Sequence, residues 1–144
     1  MEAKEFLNLL RHDEIVAAIR RQERRTSGEI RVCICHRRVD DPVQAAQSEF
    51  ERLGMTRTQE RNGVLIFVAP LSRNFAVIGD AGIHARCGDS LWPEVSQFLA
   101  RQFAEGRFTE GIVEGIQAAG DKLAEHFPPR GDDRNELPDD VVEN

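Results

Sequence analysis

Residues 61–89, RNGVLIFVAPLSRNFAVIGDAGIHARCGD, decide the fold. They hold two apolar runs, Val64–Ala69 and Phe75–Ile78, bounded by Asn62-Gly63 and Pro70. Runs this short, rich in Val, Ile, Leu and Phe, read as buried strands rather than helices. Only the five residues Pro70 to Asn74 join them, and a parallel crossover needs about a dozen or more, so an antiparallel hairpin is predicted. Its second arm would deliver Gly79, Asp80, Gly82, His84 and Asp89 to one sheet edge, on a Gly- and Asp-rich loop that precedes a helix.

Upstream, residues 3–25 place Phe6, Leu9, Leu10, Ile15, Val16 and Ile19 at helical spacing, with a break near His12-Asp13 and arginines late, where a helix C-terminus favours cations. Thr26-Ser27-Gly28 stops this segment. Glu29–His36 alternates Ile30, Val32 and Ile34 against Arg31, Cys33 and Cys35, the pattern of a strand. Asp40-Asp41-Pro42 opens a helix to about Leu53.

Downstream, Asp89-Ser90 precede a helix containing Trp92, Val95, Phe98, Leu99 and Phe103. Another starts at Thr109 and carries Ile112, Val113, Ile116, Ala119, Leu123 and Phe127. Gly111, Gly115 and Gly120 each cost this last helix about 1 kcal/mol relative to alanine, so close approaches are expected there. The order α, β, α, β, β, α, α predicts a single-domain α/β sandwich over 1–127, a mixed sheet of about three strands with helices on both faces.

At 144 residues the chain suits one full-sized domain. Its net charge of −6 is concentrated after Phe127, where six acids face two arginines, so 128–144 reads as a mobile acidic tail. The body is nearly balanced and has no dominant basic face, which argues against nucleic acid. No stretch is long enough to span a bilayer or to form a signal-peptide core. Three cysteines, Cys33, Cys35 and Cys87, with no paired framework, suit a reducing compartment, and a cytoplasmic location is expected. Cys33-x-Cys35-His36 has the look of a zinc motif. On a strand, however, the thiols share one face and His36 turns from it, which reads as two small buried hydrophobes.

Taken together, Thr26-Ser27-Gly28-Glu29-Ile30, Asn62-Gly63-Val64-Leu65, Ile78-Gly79, Gly82-Ile83, Asp89 and Phe108-Thr109-Glu110-Gly111 resemble the TPM domain family over about residues 5 to 127. That family includes a thylakoid-lumen protein, photosystem repair factors and many bacterial proteins. Where many members have G-x-G-L-E, this chain has one residue more, and His84 stands at the acidic position. No leader or anchor is read in the sequence, so it resembles a short soluble branch and is expected to behave as one. The resemblance implies calcium binding in some members and acid phosphatase activity in others; the expected function is a non-catalytic ligand- or cation-binding module acting with a protein partner, a membrane-anchored TPM protein.

Asp80 and Asp89, with Glu29 as a third, are the candidate ligands for a divalent cation, calcium first, because carboxylates on a pliable loop suit a hard ion. Gly79, Gly82 and His84 would shape and line that loop. Asp89 reads equally well as the cap of the following helix. Two other functions stay open: a metal-dependent phosphatase with His84 as general acid, and an interaction scaffold without metal.

Overall fold

The computed structural model describes residues 1–88, 91–129 and 139–144, and of Leu91 only the backbone. The first helical segment is two helices, α1 (Ala3–Leu9) and α2 (His12–Glu23). They part at Leu10, whose backbone is extended, and the N–H of Arg11 donates to Thr109 Oγ1 at 3.1 Å instead of continuing a helix. Asp13 and Glu14 open α2, and Arg20 and Arg21 close it, complementing the helix dipole. Next come β1 (Glu29–Ile34), α3 (Pro42–Arg52), β2 (Gly63–Ala69) and β3 (Asn74–Gly79). Asp41 caps α3 by accepting the N–H of Gln44 at 3.2 Å, with Pro42 in the first turn.

The hairpin is antiparallel as expected, in register from Val64 opposite Gly79 to Ala69 opposite Asn74. A 3₁₀ turn, Pro70–Ser72, closes it, and Arg73 (φ 54) reverses the chain. β1 runs parallel to β2, with α3 as the crossover helix. Strand alternation then sorts the core into two layers. Ile30, Val32, Ile34, Val64, Ile66, Val68 and Val77 belong to a cluster with α1, α2 and two later helices over 91–104 and 108–126, whereas Cys33, Cys35, Leu65, Phe67, Ala69 and Ala76 pack with α3. Each large side chain fully buried this way contributes about 1.5–3 kcal/mol. Helices on both faces of a mixed sheet make the predicted α/β sandwich.

After β3 the expected loop is a helix, α4 (Ala81–Cys87), with Asp80 as its cap. It is followed by α5 (Leu91–Ala104) and α6 (Phe108–His126). Two glycines of α6 sit at close approaches. A Cβ at Gly111 would stand 3.0 Å from the Phe103 ring, and one at Gly120 would overlap the side chain of Gln22. Both cysteines of the CxCH stretch are fully buried on the α3 face, and His36 is exposed.

Residues 130–138 of the expected mobile tail lie outside the described residues. The last six do not hang free, and here the sheet exceeds the three strands predicted. Val142–Glu143 forms β4, parallel to β1, with Cys33 opposite Val142 and the order β3-β2-β1-β4. Beside it Glu23 accepts the Ile30 N–H at 3.1 Å and shares hydrogen bonds with Asp139 and Glu29. Burial first, then those two carboxyl neighbours, pushes the Glu23 carboxyl from its ordinary 4.5 up to about 11.

The folded chain therefore keeps a proton that the unfolded chain releases above pH 4.5. The stability this group allows is complete below that pH and falls as pH rises toward 11. Glu23→Gln, which needs no proton, is expected to be more stable than the parent by about 1–2 kcal/mol at pH 8 and no more stable at pH 4. Urea unfolding at the two pH values checks this.

Candidate functional site

The open edge of β3 and the helices beside it form a cleft of about 440 Å³. Val43, Gln47 and Phe50 of α3 line one side, Val77 to Asp80 the floor, and His84 and Trp92 the other side. The cleft has this shape because of two glycines. At Gly79 a Cβ would overlap the Trp92 indole, so only glycine lets the ring lie against the strand. At Gly82 a Cβ would overlap the Glu60 carbonyl oxygen and come within 2.7 Å of that of Arg61. The Gly82 N–H donates to the Arg61 carbonyl at 2.8 Å, which pins the start of α4 to the turn before β2.

Asp80 is buried beneath this turn. Its Oδ1 accepts the Ala81 N–H at 2.7 Å, and both carboxylate oxygens accept from Arg61, Nε to Oδ2 and Nη2 to Oδ1, each at 2.7 Å. The carboxylate raises the pKa of the Arg61 guanidinium, through these hydrogen bonds first and its charge second. Arg61 occupies the left-handed region (φ 52), which a non-glycine residue enters rarely, and its side chain is half exposed at the cleft wall. Trp92, the chain's single tryptophan, has a buried Nε1 without a hydrogen-bond partner among the described residues.

The family model for the TPM domain matches residues 2–122. The chain belongs to the TPM domain family. Among solved structures, the BA42 protein of the psychrophilic bacterium Bizionia argentinensis is 39% identical, with a TM-score of 0.86, covering 94% of this chain and 96% of that one. An N-terminal domain from P. gingivalis shares the fold at 21% identity and a TM-score of 0.58, over 79% of this chain and 76% of that one. Comparison with curated proteins returns no match.

In this TPM domain Asp80 and Glu29, the two expected ligands among the described residues, have different partners. Gly79, Asp80 and His84 line the cleft, and Gly82 packs under it. Glu29 stands two strands away, about 10 Å from the β3 edge by strand spacing, and shares a hydrogen bond with Glu23 of α2. Asp89 lies outside the described residues. Among those described, no three His, Cys, Asp or Glu side chains are grouped to hold a metal. A calcium ion wants about six to eight oxygens, and Asp80 already spends both of its own on Arg61 and Ala81.

Cys33, Cys87 and Ser27 do not line the cleft. Burial pushes the Cys33 thiol up to about 12 and raises that of Cys87. Ser27 is buried and donates to Glu60, while Asn62 Nδ2 donates to Ser27 Oγ at 3.2 Å. No helix among the described residues is long and apolar enough to cross a membrane.

Proposed function

We propose that this TPM domain is a non-catalytic interaction module that takes an extended segment of a partner protein along the open edge of β3. One observation carries the reading. The Asp80 N–H donates to Gly63 O at 3.0 Å, so in the alternating antiparallel ladder Ile78, Ala76 and Asn74 also bond into β2. Phe75, Val77 and Gly79 therefore turn their N–H and C=O groups outward, two of them into the cleft. A strand added there would complete those bonds. Trp92 and Phe50 supply apolar walls, and Arg61, with Nη1 left over from its bonds to Asp80, supplies a donor for an acidic side chain.

A membrane-anchored relative, the partner implied by the family resemblance, would meet the module at this edge. Calcium is tested alongside, since it would have to draw Asp80 away from Arg61.

Trp92 fluorescence reports cleft occupancy. A synthetic hexapeptide of Val and Thr with one Asp should change it saturably, more than tenfold more weakly in Arg61→Met, with no dependence on calcium chloride. Aryl phosphate turnover should equal the blank. Turnover that disappears in Asp80→Asn, or a Trp92 response to calcium alone, would replace this reading with a hydrolase or a cation site.

A further inference from the structure

The opposite edge of the sheet is already covered, and its covering displays what that edge accepts. Residues 139–144, DDVVEN, lie along β1. The Asn144 N–H donates to Ile34 O at 3.2 Å, and the His36 N–H to Asn144 O at 3.1 Å. Val141 packs against the core layer shared with α2 and α6, and Val142 against the layer shared with α3, so two adjacent valines plug both faces at the same edge.

Charge is matched along the same line. Arg20 Nε meets Asp139 at 3.3 Å, with the proton-holding Glu23 carboxyl as that aspartate's second partner, His36 Nε2 meets Glu143 at 2.9 Å, and Asp140 acts electrostatically on Arg31. Arg31 is the telling member, because it is only 7% exposed and its Nε has no hydrogen-bond acceptor among the described residues. Burying a guanidinium without a bonded anion is costly, so this edge favours negative charge. The segment forms only two strand pairs, whereas β1 is six residues long. Toward the start of β1 the Ile30 N–H is held by Glu23, so a longer strand can extend the pairing to Val32.

We propose that the outer edge of β1 is an acceptor groove for extended segments of another protein in the pattern acid-acid-aliphatic-aliphatic-acid, and that residues 139–144 occupy it in cis as a displaceable strap. In cis the strap acts at an effective concentration of about a millimolar, so a partner succeeds by pairing with more of β1 or by arriving when the strap's acids are neutralised.

The probe is a fluorescein-labelled PDDVVEN peptide, titrated into the full chain and into a full-chain variant carrying Asp139→Asn, Asp140→Asn and Glu143→Gln. It should bind the variant at least tenfold more tightly than the parent and shift the Cys33, Ile34 and His36 amides. The shifts at these three amides, which lie across the sheet from Trp92, separate this groove from the β3 cleft. The neutral peptide PNNVVQN should bind at least tenfold more weakly.

A second measurement needs no variant. In the parent chain, a large excess of PDDVVEN should speed hydrogen exchange at the Asn144 amide of the displaced strap. Equal binding of acidic and neutral peptides, equal binding to parent and variant, amide shifts confined to β3, or Asn144 exchange unaffected by excess peptide would each overturn the proposal.

Discussion

Gly82→Ala is expected to cost about 3 kcal/mol of folding stability, read as a lower urea midpoint at unchanged slope. Helix propensity alone predicts the opposite sign, since Gly82 lies inside α4 and alanine there should gain about 1 kcal/mol. The contact decides between them. The new methyl would overlap the Glu60 carbonyl and stand 2.7 Å from that of Arg61, both backbone atoms of a turn that is itself tied to α4 through the Gly82 N–H. A flexible side chain could swing away, but a hydrogen-bonded backbone turn must shift as a whole. A neutral or stabilising result would mean that the start of α4 does not sit against residues 60–61.

Asp80→Ala follows in size, at about 2–3 kcal/mol. It removes the cap of α4 and a buried carboxylate that accepts three hydrogen bonds. Asp80→Asn keeps a side-chain oxygen for the Ala81 N–H and loses the charge opposite Arg61, so it should cost roughly half as much. Thermal unfolding of the two variants side by side separates cap from ion pair. Equal losses would assign all of Asp80's contribution to its charge.

How far the sequence reveals these features depends on the range of the interaction. The hairpin is legible because Val64–Ala69 and Phe75–Ile78 carry their own strand pattern and Pro70–Asn74 is too short for anything but a turn. α4 is not, since AGIHARC has one fully buried apolar residue, Ile83, and therefore no period. What makes it a helix is the Asp80 cap and the tertiary contact at Gly82. β4 is hidden for a related reason. Two residues in an acidic stretch become a strand only because β1 offers an unpaired edge and Arg20, Arg31 and His36 stand along it.

For the site, Gly79, Asp80 and His84 are legible because the outgoing strand ends at them. Arg61 was missed because it lies in a polar connection without pattern. A hint was its place just before Asn62-Gly63, where the chain must turn sharply into β2. Glu29 is a candidate third ligand from sequence, and its hydrogen bond with Glu23 of the preceding helix is a pairing that strand alternation alone cannot reveal.

The β3 edge can be tested amide by amide. Hydrogen exchange is to be followed at Val77, Ile78 and Gly79 with and without saturating hexapeptide. Val77 and Gly79, whose N–H groups face outward, are expected to slow more than tenfold, while Ile78, already bonded to β2, changes little. Uniform slowing of all three, or no slowing at Val77 and Gly79 with the peptide bound, would contradict strand addition at this edge.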